Sequence, residues 1–445
     1  MLRPDGEELL KEFTASAYPP AVSEIVPDTI FHVMGYGHSN AGFIIANGSV
    51  ILVDTLDTDA RAAKLARIIA EKTDKPVKTI LYTHGHPDHT GGAGVFAGSR
   101  PEVLAFAPAR PPLARTDRLA NILQRRGVRQ FGYELDDEEA ISQGIGIREG
   151  FTVGEGARAP LPPTTVYADP GVALDIDGVR LTLCAAPGES EDQGFVWVDE
   201  HRVLFCGDNY YGCWPNLYAI RGGPYRDVAG WIESLDRMRQ YPAEALLPGH
   251  TRPILGRAAV AEVLATFRDA LDYVLTETLA CMDRGMGLDA TVDAVKLPER
   301  YARLPYLQEF YGTVAWSVRG IYTGYVGWFD GNPTHLNPLP PHQRAAKAIA
   351  QMGGEQAVAD AVFAALRAGD AQWALELADL LLALDPAQAA MRRAKAQGLV
   401  ELARRETSAN GRHYYLACAK ELLAEGAQDL SRSSGGADSS NLRGV

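Results

Sequence analysis

The stretch Thr83-His84-Gly85-His86-Pro87-Asp88-His89-Thr90-Gly91-Gly92 gathers three imidazoles and a carboxylate within six positions. It follows the apolar run from Val77 to Tyr82. Neutral imidazole and carboxylate are the ligands zinc takes in hydrolytic sites. Alternation along an extended segment puts His84 and His86 on one side of the chain. Asp88 and His89 open the following turn and can face a second cation. Gly91 and Gly92 let the backbone approach closely and start a helix. The plain alternative is a surface loop with solvated histidines. The chain has only ten histidines, so this local density argues against that alternative.

Two cations need more ligands than this loop offers. Pro248-Gly249-His250-Thr251 places a histidine just after a short apolar strand. Phe205-Cys206-Gly207-Asp208 places a carboxylate in the same situation, able to bridge two metals. Alone, the histidine would be read as structural and the aspartate as a cap. The early cluster gives both a reason to converge.

The elements that position these residues read as follows. Thr29–Val33, Gly42–Ile45 and Val50–Asp54 are predicted strands, with Asn47-Gly48 as a hairpin turn. Residues 58–72 carry Leu65, Ile68 and Ile69 on one helical face. Gly171–Ile176, Val179–Cys184, Phe195–Val198 and Val203–Cys206 form a second set of strands. A helix over 228–240 and a short strand over Ala245–Leu247 follow. Alternation of strands and helices in two halves predicts an α/β sandwich over residues 1–255. From 256 the spacing turns helical. A packing or dimerisation segment is expected over 256–342, a helical domain over 343–430 and a disordered Ser/Gly-rich tail over 431–445.

Composition narrows the function. At 445 residues the chain exceeds one core, so more than one domain is expected. A net charge of −13 disfavours nucleic acid, although a local basic patch remains compatible with a small anion. Five cysteines without a CxxC pair fit reduced thiols and a cytoplasmic location. No apolar run approaches the ~20 residues that span a bilayer, and Met1–Leu10 lacks the apolar core of a signal peptide.

His-x-His-x-Asp-His on a strand-to-helix loop resembles the signature of the metallo-β-lactamase superfamily. That resemblance implies an αββα sandwich with the metals at the sheet edges, here followed by an all-helical region. Many members carry a histidine where this chain has Glu189 in Ala186-Pro187-Gly188-Glu189. The glutamate resembles the alkyl sulfatase branch, as does the interval of nineteen residues to Asp208. Asn216-Leu217-Tyr218-Ala219-Ile220-Arg221-Gly222 is similar to the branch's sulfate-pocket segment. Arg226-Asp227, Trp231, Tyr311-Gly312-Thr313, Asp330-Gly331-Asn332-Pro333 and Leu336–Pro341 continue the likeness. Two departures stand out. Typical members carry a further domain like the sterol carrier proteins, which this sequence does not reach. Glu189–Gln193 keeps only the first acid of the branch's Thr-Glu-Ala-Pro-Ala-Glu pattern.

The resemblance implies a hydrolase of small anionic esters, in particular alkyl sulfates, acting as a homodimer through its helical region. His84, His86 and Glu189 are expected to hold one zinc ion. Asp88, His89 and His250 are expected to hold the other, with Asp208 bridging. Metal binding lowers the pKa of a shared water to near 7. Ligand type favours zinc, with iron or manganese also compatible. Arg221 is expected to grip the sulfate in a bidentate manner, with Asn216 adding a hydrogen bond. Attack at sulfur and attack at carbon both stay open. One rival reading keeps the fold and changes the ester to a lactone, thioester or phosphodiester. A second makes the chain a non-enzymatic helical interaction module on a metal-binding scaffold.

Overall fold

A computed structural model describes residues 2–168 and 170–434, with side chains to residue 424. Of the disordered tail expected over 431–445, residues 431–434 instead end the helix Ala409–Ser434, and residues 435–445 lie outside the described residues. The described residues form two compact units, residues 9–126 with 141–328, and residues 2–8 with 127–140 and 329–434.

The larger unit is built on two sheets. The first has strands β1 Ala21–Val26, β2 Ile30–Met34, β3 Ala41–Ile45, β4 Val50–Val53, β5 Val77–Leu81, β6 Glu102–Phe106 and β7 Thr165–Tyr167, in that order. Its first four strands are antiparallel, and β4 to β7 run parallel. The second has β8 Val172–Ile176, β9 Val179–Ala185, β10 Gly194–Val198, β11 Val203–Gly207, β12 Ala245–Pro248 and β13 Ile254–Leu255. Here β11 and β12 are parallel neighbours, which sets two strand ends side by side.

Side-chain alternation sorts the core into layers. In β4, Ile51 and Val53 face Leu183, Val196, Val203 and Phe205 between the sheets. Val50 and Leu52 face the other way, onto Leu65, Ile68 and Ile69 of the helix Asp59–Lys72. Beyond the second sheet, Leu204, Cys206 and Leu246 pack against the helices Val228–Met238, Arg257–Asp283 and Val314–Val326. The order is therefore helix, sheet, sheet, helix, as expected. Helical residues up to 326 belong to this unit.

The helix Asp59–Lys72 starts on Thr58, whose hydroxyl oxygen accepts from the Arg61 amide. Arg61 also clasps the buried Asp57 at 3.1 Å. Asp57 accepts from the His38 and Gly150 amides as well, so the pair ties three segments together. Removing one partner of a buried ion pair leaves an uncompensated charge. Arg61→Ala is expected to lower unfolding stability by about 3–5 kcal/mol in urea titrations.

The smaller unit is helical, with Pro341–Gln351, Glu355–Arg367, Ala371–Leu384, Ala389–Arg405 and Ala409–Ser434. Residues 355–402 were expected as two or three helices and lie on three. Val358, Val362, Leu377, Leu381 and Met391 form one core cluster. Leu135 and Ala140 of the inserted segment pack with Ala403 and Leu416 in another. No helix among the described residues is long and apolar enough to cross a membrane.

Candidate metal centre and active site

Three chain segments end at one place. The buried strand β5 delivers Thr83 and His84. Pro87 then opens a helical turn, Pro87–Thr90, that presents Asp88 and His89. Its fixed φ suits a first helical position. The helix was expected to begin at Gly91 and Gly92. A 3-10 helix over Ala93–Ser99 does begin there with Gly92 as its N-cap, and the short turn before it, Pro87–Thr90, closes at Gly91. On the second sheet β11 ends at Gly207, where a φ of 52° turns the chain to project Asp208. The register Gly207↔Pro248 brings His250 alongside. Gly249 is needed between them, because a Cβ there would overlap Asp208 Oδ1 and crowd His89.

The ligand-type atoms converge closely. His84 Nε2 lies 2.9 Å from His86 Nδ1 and 3.7 Å from Asp208 Oδ2. His89 Nε2 lies 3.3 Å from Asp88 Oδ2 and 3.3 Å from Asp208 Oδ1. His250 Nε2 lies 3.4 Å from Asp88 Oδ2 and 3.2 Å from Asp208 Oδ2. His84, His86 and Asp208 thus form one group of atoms within 4.8 Å of one another, and His89, Asp208 and His250 form a second. Asp208 belongs to both. A third group joins Asp88 and His250 to His38.

Glu189 stands outside these groups but is buried near them, close enough for its charge to act on Asp208 and His250. Its Oε1 accepts from Arg226 Nη1 at 2.9 Å, while its Oε2 is buried without a hydrogen bond. His89 Nε2, His250 Nε2 and Asp208 Oδ1 are likewise buried without a regular hydrogen bond, despite lying beside one another. Orphaned buried polar atoms are costly. Four of them aimed into one cluster fit a bound cation, which would satisfy all at once.

Electrostatics point the same way. Burial, followed by the neighbouring His89 and His86, pushes His84 down to about 3. Burial also pushes His86 down to about 3, against the pull of Asp88. Both rings are therefore neutral at pH 7 and free to donate a lone pair. Burial opposes protonation of His250 too, but Asp208 and Asp88 overcome it and raise the ring to about 9. The carboxylates thus hold positive charge in the cluster. Burial lifts Glu189 to about 7, against the pull of Arg226.

Outer partners fix the rings. Asp54 Oδ2 accepts from His89 Nδ1 at 2.8 Å, and its two oxygens also accept from the Thr83 amide and hydroxyl, each at 2.8 Å. His250 Nδ1 donates to the His38 carbonyl at 3.0 Å. Each of these bonds leaves Nε2 facing the cluster. Partners of this kind are worth about 10–100-fold in metal affinity or activity. Asp54→Ala is expected to cost that much in both, read by metal titration and turnover together.

Arg221 lies on a pocket of about 200 Å³ that reaches His86 and Glu189 and is lined also by Tyr218, Tyr225 and Arg226. Its charge is felt at His86. Asn216 is buried, with its Oδ1 free of hydrogen bonds and its carbonyl accepting from Arg226 Nη1. The structure therefore gathers His84, His86, Asp88, His89, Asp208 and His250 tightly, sets Glu189 beside them, and places Arg221 on the adjoining pocket.

Sequence reasoning missed Asp54, His38 and the role of Arg226. Asp54 had a signal, a carboxylate ending the apolar run of β4. Arg226 was noted as part of a motif, but its pairing with Glu189 depends on a fold contact across 37 positions.

Residues 34–250 match the profile of the metallo-beta-lactamase superfamily, the class this sandwich and ligand set define. Residues 288–425 match alkyl sulfatase dimerisation. A linear primary-alkylsulfatase of a Pseudomonas strain is 35% identical over 388 residues, covering 85% of this chain and 73% of that protein. The chain belongs to the alkylsulfatase family, and is a metal-dependent hydrolase. An alkyl/aryl-sulfatase of Saccharomyces cerevisiae is 30% identical over 412 residues, covering 89% of this chain and 63% of that protein. The solved structure of the stereoselective inverting sec-alkylsulfatase Pisa1 from Pseudomonas sp. superposes with a TM-score of 0.81 at 26% identity, covering 91% of this chain and 66% of that one. The chain thus spans less than two thirds of the yeast protein and of the solved structure.

Proposed function

We propose that this protein hydrolyses alkyl sulfate esters to an alcohol and inorganic sulfate with a pair of zinc ions. The observation that carries the reading is the sharing of Asp208 between two groups of ligand atoms, beside the pocket that holds Arg221. His84, His86 and Glu189 would hold one ion, and Asp88, His89 and His250 the other, with Asp208 between them. When bound, such a pair supplies Lewis acidity and a water activated at neutral pH.

The chain's own residues do the rest. Asp54 and the His38 carbonyl orient His89 and His250. Arg226 holds one Glu189 oxygen, so the other keeps its place in the cluster. Arg221 offers a planar, permanently charged fork that matches a sulfate group. His86 and Asp88 are the partly exposed members of the cluster, which leaves the centre open on their side. The dimerisation match over 288–425 supports a homodimer. Five free cysteines, four of them buried, support a reducing, cytoplasmic setting.

A metal-replete screen tests this reading. It compares sulfate esters of varied length with thioesters, lactones and phosphodiesters, alongside metal analysis for zinc, iron and manganese. Turnover of sulfate esters with two metal equivalents is expected. Preference for another ester class would replace the substrate assignment. Arg221→Ala should raise KM for sulfate esters about 10–100-fold, the worth of a charge-assisted contact. Metal content should stay normal, and a fall would make Arg221 structural instead.

A further inference from the structure

The connection between β2 and β3, residues 35–40, brings one more imidazole to the cluster. His38 is buried there. Its Nδ1 donates to the Ile147 carbonyl at 3.1 Å. A carbonyl oxygen can only accept, so in the neutral ring Nδ1 carries the proton and Nε2 keeps its lone pair. Nε2 lies 3.8 Å from Asp88 Oδ2. That separation is too long for a hydrogen bond. The ring centroid is 5.0 Å from that of His250. His38, Asp88 and His250 each put a ligand-type atom within 4.8 Å of the others.

The backbone around His38 is pinned to the segments that carry Asp88 and His250. The His38 carbonyl accepts from His250 Nδ1 at 3.0 Å, and its amide donates to Asp57 Oδ1 at 3.2 Å. Ser39 Oγ donates to the Asp88 carbonyl at 2.6 Å. The Asn40 amide donates to the Gly249 carbonyl at 2.6 Å, and its Nδ2 donates to the Pro248 and Thr251 carbonyls at 3.0 and 2.8 Å. Gly146 closes the other side, where a Cβ would overlap the His38 carbonyl. None of these bonds uses His38 Nε2. A ring fixed through its backbone and one nitrogen, with the second nitrogen turned to carboxylate and imidazole, has the arrangement of a metal-ligating histidine.

We propose that His38 is a further metal ligand, taking up through Nε2 a cation held between Asp88 and His250. The inference rests on the reading of the cluster as a two-ion centre. It goes beyond that reading, which asks only for Asp88, His89 and His250 at this position with Asp208 shared. Catalytic zinc sites carry three protein ligands and one open position. An added imidazole makes the Asp88 position the fuller and tighter of the two. The position at His84, His86 and Glu189 adjoins the pocket that holds Arg221 and stays the more open. The two ions are thereby unequal, one firmly retained and the other turned towards substrate.

The test strips the full chain with a chelator and reloads it with cobalt(II), whose visible absorption changes when its ligand set changes. Calorimetry gives the affinity of each equivalent. The wild type should take up two equivalents, one much tighter than the other. His38→Ala should weaken the tighter equivalent by more than about 100-fold, since an outer partner alone is worth about 10–100-fold. Its absorption should change as well, while the weaker equivalent keeps its affinity. Weakened binding with unchanged absorption makes His38 an outer partner and overturns the proposal. Wild-type affinity in the variant overturns it too, as does an equal loss at both equivalents. If the wild type takes up fewer than two equivalents, the two-ion reading falls and His38 with it. If it takes up two and His38→Ala matches it, the assignment of His38 falls alone. Should His38→Ala misfold by circular dichroism, His38→Gln replaces it, keeping a polar side chain without the imidazole. The same selective weakening and altered absorption are expected, and wild-type values for both overturn the proposal.

Discussion

Asp208→Ala is expected to lower hydrolysis by about 10⁴-fold or more, the scale seen when a member of a cooperating catalytic set is removed. Asp208 is the side chain common to the His84–His86 and His89–His250 groups, at 3.2–3.7 Å from three imidazoles. Without it, neither group keeps a carboxylate that the other also touches. Metal content should fall below two equivalents, measured by elemental analysis after gel filtration. Asp208→Asn separates charge from shape. It keeps the volume beside Gly249 but removes the negative charge, and should lose activity nearly as completely. If Asp208→Asn retained full activity with two metals, the bridging assignment would be wrong.

The second large effect concerns metal removal. In the metal-free protein burial opposes protonation of both His89 and His250, and the Asp208 and Asp88 carboxylates overcome it. His89 is raised well above its ordinary value, and His250 to about 9. Both rings then carry protons at pH 7 and must release them to bind a cation. Metal uptake at pH 7 is expected to release about two to three protons, one each from His89 and His250 and about half of one from Glu189, measured by calorimetry in buffers of different ionisation enthalpy. Uptake without proton release would contradict the assignment. The sign for stability follows. A raised folded-state pKa stabilises fully below the unfolded value near 6.5, and this is lost as pH rises through about 9 for His250. The chelated protein should therefore lose thermal stability between about pH 6.5 and 9, while the metal-loaded protein holds its midpoint. At pH 7 each bound metal adds about 4 kcal/mol when free metal is a thousandfold above its Kd.

The ligand loop was legible in the sequence because its members are neighbours along the chain and follow an apolar strand. His250 and Asp208 were legible by the same device, a polar residue placed just past a buried strand. The sandwich followed from strands and helices alternating in two halves of the chain, whereas β4, an unbroken apolar run buried on both faces, gave no sign of which side chain faces which layer. What stayed hidden was long-range or irregular. Asp54 reaches His89 across 35 positions. His38 gives its carbonyl to His250 and its ring to the group with Asp88 and His250, from a segment far from His250 along the chain. Within residues 107–164 the helix Ala120–Phe131 carries a helical period that was overlooked, while the irregular loops that bury Asp57 carry none. The helix Gly6–Ala17 and strand β1 were also missed. Their burial comes from contacts with later parts of the chain, such as Phe13 stacked on Phe310 at 4.1 Å.

The ligands are divided between the two sheets. His84, His86, Asp88 and His89 extend from the first, and Asp208 and His250 from the second. A pair of bound ions would therefore act as a staple across the sandwich as well as a chemical tool. Losing the ions would unfasten one edge of the molecule while the aliphatic layer between the sheets still held the other. Amide exchange should then rise first at the ends of β5, β11 and β12, well ahead of global unfolding.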